Sequence, residues 1–165
     1  MTPGVGDQAT ATWPADTQIA RSTGRPALLI FLHPACPCSR ASVQELARLL
    51  THIGLSVDTT AVFVRPEGFS AGWEKTDLWT SAASLSGVVA MVDPAGQEAR
   101  RFGAATSGYT ALYDPAGRLV FRGGITAARG HEGDNSGKTA ILEWFEHGRV
   151  SGTETPVFGC GLFDE

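Results

Sequence analysis

Apolar and polar positions divide the chain into short periodic segments separated by glycine- and proline-rich breaks. Ala27 to Leu32 (ALLIFL) is a continuous apolar run of strand length, the pattern of a strand buried on both faces. After a Cys-Pro-Cys segment, Val43, Leu46, Ala47, Leu50 and Ile53 recur at helical spacing. That periodicity predicts a helix with Gln44, Glu45 and Arg48 on its other face and Gly54 as its stop. Val57 to Val64 alternates and is rich in β-branched residues, which predicts a second strand. A loop follows over Arg65 to Lys75, then a short helix over Thr76 to Ser84 and a third strand over Val88 to Val92, ended by Asp93-Pro94-Ala95-Gly96. Gln97 to Phe102 reads as a short helix or turn closed by Gly103. Tyr109 to Tyr113 and Arg118 to Arg122 form a hairpin across Asp114-Pro115-Ala116-Gly117. A glycine-rich polar loop, Gly123 to Gly137, leads to an amphipathic helix over Lys138 to His147. Residues 1–24 form an irregular lead-in with Trp13 and Ile19 as candidate anchors, residues 25–148 the domain, and residues 149–165 a tail. Strand and helix alternate and a hairpin follows, so the expected class is α/β: a mixed sheet with helices on both faces.

Composition narrows the function. With 165 residues, 42% hydrophobic and 18% charged, the chain is one globular unit. The net charge is -4, and the basic residues do not cluster, which excludes the basic face a nucleic-acid partner requires. No apolar run approaches the roughly 20 residues that cross a bilayer, so no membrane span is expected in this chain. The opening MTPGVGDQATATWPAD has neither a charged n-region nor an apolar core, so no signal peptide is read there. Localisation is not decided by this terminus.

The chemistry centres on the cysteines Cys36, Cys38 and Cys160, too few for a disulfide scaffold and odd in number. Cys36 stands where a buried strand turns into a helix, so it meets unbonded N–H groups and the positive end of the helix dipole, which favour a thiolate. Arg40 adds positive charge in the first turn, and Pro37 suits a first helical position because it lacks an N–H. Cys38 points about 200° around the helix from Cys36, at roughly 100° per residue, so a bond between the two is strained. His33, three residues before Cys36, is a candidate to stabilise a thiolate, to ligate a metal, or to sit on the surface beside the turn. His52 and His147 lie late in their helices, where the dipole alone accounts for them.

These residues resemble the thioredoxin superfamily, and within it the exported, membrane-anchored TlpA-like branch and its RedB-type bacterial group. The likeness spans Arg25 to Lys138. It rests on the apolar strand ending His33-Pro34-Ala35-Cys36 and on Val88 to Arg122 (VVAMVDPAGQEARRFGAATSGYTALYDPAGRLVFR). The resemblance implies a thioredoxin fold and an extracytoplasmic, periplasmic setting, with an anchor or signal encoded ahead of Met1. Two departures follow. The family spaces its cysteines by two residues, and here Pro37 alone intervenes. The family's cis-proline, which lies against the cysteines, is replaced by Gly108 after Ser107; this predicts a more open cleft with polar groups from Ser107 or Thr106.

In that topology the first strand and the last hairpin strand run parallel, so Gly123 onward emerges on the Cys36 edge. The last helix runs back about 17 Å. The eleven residues from Arg149 to Cys160 then span up to roughly 36 Å, enough for the tail to return to the active edge. Gly159 and Gly161 permit close backbone approach there. The alternatives are a Cys36–Cys160 pair, a Cys38–Cys160 pair, or a buried Cys160 thiol among Val157, Phe158, Leu162 and Phe163. The loop holding Arg129, His131, Glu132, Asp134 and Asn135 overhangs the same edge, either as a functional loop or as a solvated turn with Asp134 or Asn135 as helix cap.

Three functions compete. The leading one is a thiol–disulfide oxidoreductase acting on protein thiols or disulfides, with Cys36 as nucleophile, Cys38 or Cys160 as resolving thiol, and no required cofactor. The second is a thioredoxin-fold metal-binding protein that holds copper, zinc or an iron–sulfur cluster through Cys36, Cys38, Cys160 and His131 or His33, and serves a metalloprotein acceptor. The third, a peroxidase suggested by Cys-Pro, lacks the Thr three residues before the cysteine; His33 stands there.

Overall fold

The computed structural model describes residues 11–54, 56–128, 130–149 and 152–163. Along them lie β1 (Ala27–Leu32), α1 (Ser39–Ile53), β2 (Asp58–Arg65), α2 (Asp77–Ala83), β3 (Val88–Pro94), α3 (Gln97–Arg101), β4 (Tyr109–Tyr113), β5 (Leu119–Gly123) and α4 (Ser136–His147). The sheet order is β3-β2-β1-β4-β5. β1, β2 and β3 are parallel, β4 is antiparallel to β1, and β5 is antiparallel to β4. β1 and β5 therefore run the same way, and the chain leaves β5 at the edge where β1 ends.

β1 carries no polar residue because it is central in the sheet and covered twice. Leu28, Ile30 and Leu32 enter one core with Val43, Leu46 and Leu49 of α1, Leu78 of α2 and Ile141 of α4. Leu29 and Phe31 enter the other with Phe102, Tyr109, Tyr113, Val157 and Leu162. Successive side chains of a strand point to opposite faces, so both layers need apolar residues from the same six positions.

Helices do lie on both faces, but unequally. α1, α2 and α4 supply the first layer. The second face has α3, only five residues long, and is completed by irregular segments. Trp13 packs edge-on against Phe102 at 5.1 Å and Tyr113 at 5.2 Å, and Ile19 is buried beside them. From the other terminus Val157 and Leu162 fill the same layer. Backbone from both termini also covers the β5 edge, where Leu119 N–H donates to Ala11 and Arg122 N–H to Thr153. An edge so covered cannot template pairing with another chain.

One expected surface residue lies inside. Glu45 of α1 is fully buried, whereas the helical pattern set it on the polar face with Gln44 and Arg48. Its carboxylate accepts from Lys138 Nζ of α4 at 2.8 Å, from the Gly133 N–H at 3.0 Å and from Arg48. Arg48 reaches on to Glu132 at 2.6 Å. A carboxylate thus bolts α4 and the loop before it onto α1, and Asn135 caps α4 by accepting from the Lys138 N–H at 2.8 Å. Burial pushes the Glu45 carboxyl up, but the Lys138 bond, the Gly133 N–H and Arg48 outweigh it and hold the group below its ordinary value.

Because the folded value is depressed, the stabilisation is complete above the ordinary carboxylate range and is lost as pH falls through the folded value. Glu45→Gln, which leaves Lys138 with little water, is expected to cost about 3 kcal/mol near neutral pH. Denaturant titrations across pH check this: the difference from the parent chain narrows toward acid. A gap of constant size would mean that charge is not what Glu45 contributes.

Candidate redox site

The site forms where β1 ends and α1 begins. Between them the chain turns tightly, with the Cys36 N–H donating to the His33 carbonyl at 3.0 Å and the Ser39 N–H to the Cys36 carbonyl at 3.2 Å. Cys38 is the helix cap but gives no side-chain cap bond, and the first turn of α1 contains no acidic residue. The positive end of the helix thus has no acidic partner of its own. Cys36, two residues before the cap, is 3% exposed.

The tail returns to this edge. Cys160 Sγ lies 2.7 Å from Cys36 Sγ, and the Cys160 N–H points at the same sulfur from 3.4 Å. For comparison, a disulfide bond measures about 2.05 Å. The approach is fixed by backbone pairing of the tail against the segment before β4. Ser107 N–H donates to the Cys160 carbonyl at 2.7 Å, and Leu162 N–H to the Ala105 carbonyl at 2.8 Å, around a bridge between Thr106 and Gly161. At Gly159 a side chain is excluded: a Cβ there would stand 2.1 Å from the Ser107 carbonyl oxygen.

The cleft expected to open at Gly108 is instead covered. Gly108 has a φ of +100°, and its N–H donates to the Phe31 carbonyl at 2.8 Å. A Cβ there would meet Ser42 Oγ of α1 at 3.1 Å and Val157 Cγ1 of the tail at 3.9 Å. Ser107 is fully buried; its Oγ accepts from the His33 N–H at 2.8 Å and is hydrogen-bonded to the Ser39 hydroxyl.

Burial raises the Cys36 thiol, but the hydrogen bonds made to it prevail. They come from the Cys160 thiol, the Ser39 hydroxyl and the N–H groups of Cys160 and Cys38, and together they hold Cys36 below the ordinary thiol value. Cys38 thus gives the Cys36 sulfur its backbone N–H, and Cys38 itself is partly exposed, with its backbone close to Gly130.

The remaining candidates are distributed as follows. His33 is 5% exposed, not a surface residue: its ring packs edge-on to Trp73 at 5.6 Å, and its Nδ1 accepts from the Ala35 N–H at 3.2 Å. The loop over Arg65 to Lys75, whose Phe69 and Trp73 pack together, covers it. Pro37 and Arg40 are exposed on the rim of a shallow pocket of about 240 Å³ that Cys36 floors with Thr76, Asp77 and Leu78. His131 is exposed in the loop that Glu132 and Gly133 tie to α1, and Arg129 lies outside the described residues. The proposed ligand set Cys36, Cys38, Cys160 and His131 is not gathered: among the described residues no three His, Cys, Asp or Glu side chains cluster as a metal requires. Cys36 and Cys160 meet, whereas His131 is exposed in its loop.

Sequence reasoning missed Ser39. The available signal was a hydroxyl at the first position of a helix that has no capping side chain, and nothing in the chain order connects it to Ser107.

No protein-family model matches the chain, and no curated protein does. Solved structures do resemble it. A hypothetical protein from Sinorhizobium meliloti 1021 superposes with a TM-score of 0.70 at 20% identity, over 100% of this chain and 96% of that one. An uncharacterized conserved protein from Geobacillus kaustophilus gives 0.69 at 18% identity, over 99% and 93%. The exposed lipoprotein thioredoxin Etrx1 from Streptococcus pneumoniae gives 0.55 at 20% identity, over 82% and 96%. The chain has the α/β thioredoxin fold, with β1, the Cys36 turn and α1 at its centre.

Gly159→Ala tests the geometry of the tail. The added methyl cannot share space with the Ser107 carbonyl, so the tail shifts and the two sulfurs separate. Cross-linking of Cys36 to Cys160 under a fixed mild oxidant is expected to slow about tenfold or more, because the bond tolerates little misplacement. Far-UV circular dichroism should stay unchanged. Cross-linking at the parental rate would show that the Ser107–Cys160 pairing does not set the approach.

Proposed function

We propose that the protein is a thiol–disulfide oxidoreductase in which Cys36 is the nucleophile and Cys160 the resolving thiol. The observation that carries this reading is the 2.7 Å approach of two sulfurs 124 residues apart, with donors converging on one of them. The Cys36 thiolate attacks one sulfur of a substrate disulfide. An S–S bond forms between Cys36 and that sulfur, the substrate S–S bond breaks, and the second substrate sulfur leaves as thiolate and takes a proton. Cys160 then loses its proton and attacks Cys36 Sγ. The mixed disulfide breaks, the remaining substrate thiol departs, and Cys36–Cys160 carries the two-electron oxidation. Run backward, the same steps oxidise a substrate dithiol.

The pocket beside Pro34, Pro37 and Arg40 is the approach for a protein thiol or disulfide, and the cycle needs no cofactor. Cys38 serves the thiolate through its N–H. The approach His33-Pro34-Ala35-Cys36 supports a TlpA-like, RedB-type assignment, and with it an extracytoplasmic, anchored protein. Similarity to a lipoprotein thioredoxin exposed on a bacterium supports that setting.

Three variants test the reading with a disulfide-linked reporter protein as substrate. Cys36→Ser is expected to abolish turnover. Cys160→Ser should accumulate a mixed disulfide at Cys36, because the attack that releases it is gone. Cys38→Ser should turn over within about threefold of the parent, having kept the N–H. Turnover in Cys36→Ser, or trapping in Cys38→Ser instead of Cys160→Ser, would overturn these roles.

A further inference from the structure

We propose that Arg40 and Asp77 select the polypeptide that reaches Cys36: a segment whose reacting cysteine lies between an acidic residue, which meets Arg40, and a basic one, which meets Asp77. The proposal rests on the reading of Cys36 as the reacting thiol and names the substrate class of that site. Cys36 is 3% exposed and floors a pocket of about 240 Å³. Sites for drug-sized ligands measure roughly 300–1,000 Å³. The smaller pocket admits one side chain and leaves its neighbours in the partner chain on the rim. Arg40 of α1 and Asp77, the first residue of α2, are the only charged residues that line it. The Thr76 hydroxyl between them in the lining is already engaged, donating to the Pro34 carbonyl at 3.1 Å.

Both charges are exposed and unpaired. Arg25, Arg48, Arg65, Arg101 and Arg122 each meet a carboxylate within the fold. Among the described residues the Arg40 guanidinium meets none, the Asp77 carboxylate meets no cation, and no ion pair joins the two across the pocket. The helix dipole favours an acid at the start of α2. It gives no reason for a lone cation on the α1 side of the same pocket. Main-chain pairing is not open to a partner here either. The segment that enters β4 has its Ser107 N–H and Ala105 carbonyl taken by the tail, so an incoming strand cannot pair with those groups. Recognition falls to side chains, and the charged ones are Arg40 and Asp77. Exposed charge contacts are individually weak, yet they discriminate by sign, because like charges repel where opposite ones attract.

The test uses the full chain carrying Cys38→Ser and short peptides with a single cysteine held as a mixed disulfide with thiopyridine. That cysteine is flanked by Glu then Lys, by Lys then Glu, by two Glu, or by two Lys. Cys36 attacks the peptide sulfur, thiopyridine departs as the better leaving group, and its absorbance gives the second-order rate constant. At low salt the parent is expected to favour one of the mixed peptides over both uniform ones by about threefold, and to lose that preference near about 0.5 M salt. Arg40→Glu should move the optimum to the two-Lys peptide and Asp77→Lys to the two-Glu peptide. The double swap should return it to a mixed one. Both positions are exposed, so these variants keep the fold. The net charge of -4 by itself would rank the two-Lys peptide first throughout. An influence of Arg40 on the Cys36 thiolate would slow all four peptides alike. Arg118→Glu makes the same change in net charge on the hairpin turn at the far end of the sheet, and should leave the mixed optimum in place. Equal rates for all four peptides in the parent, or an optimum that Arg40→Glu and Asp77→Lys leave unmoved, would overturn the proposal while the oxidoreductase reading stands. If no peptide releases thiopyridine, that reading falls and this one with it.

Discussion

The Ser107 N–H to Cys160 carbonyl bond, 2.7 Å long, is the constraint on which the site depends. It joins the segment entering β4 to a tail more than fifty residues later, and so converts a flexible terminus into a wall of the site. Because β4 pairs with β1 in fixed register, with Phe31 opposite Tyr109, anything docked on Ser107 is located relative to the turn that carries Cys36. The same docking completes the second core layer through Val157 and Leu162. Stability and the approach of the sulfurs thus draw on one set of contacts. Loosening the tail exposes apolar surface and separates the thiols together.

At Cys36 two opposed effects compete. Taking a sulfur out of water disfavours its charge, yet four donors and an uncompensated helix end favour it, and the donors prevail. Glu45 resolves the same contest in the same direction with Lys138, Arg48 and an N–H. One buried carboxylate holds the helix and loop scaffold together, while the buried thiol is the group proposed to react. What separates them is the partner. Lys138 and Arg48 are permanent cations, whereas Cys160 offers a thiol that can itself become the attacking group.

Much of the fold was legible in the sequence because the strands and helices carry strong periodicity, and β1 announced double burial by having no polar residue. The return of the tail was legible as reach: length and topology let Cys160 meet either Cys36 or Cys38, and the structure sets it beside Cys36. The choice between them was hidden because it depends on which residues of the tail pair with Ala105 and Ser107. Periodicity misassigned Glu45, since a helix that packs under a second helix and a loop has two buried sides. His33 stayed open between a thiolate partner, a metal ligand and a surface residue, because the loop bearing Trp73 that covers it has no periodic signal. Ser39 and Ser107, 68 residues apart, share hydrogens that no local pattern reveals.

The central claim is that Cys36 and Cys160 are the redox pair, with Cys38 outside it. The most direct measurement is limited oxidation of the full chain, alkylation of the remaining thiols and peptide mapping without reduction. Fragmentation is needed to locate the linked sulfur, because Cys36 and Cys38 fall on one peptide. The expected product is a Cys36–Cys160 link with Cys38 alkylated. A Cys36–Cys38 bond, or a link from Cys38 to Cys160, would contradict it.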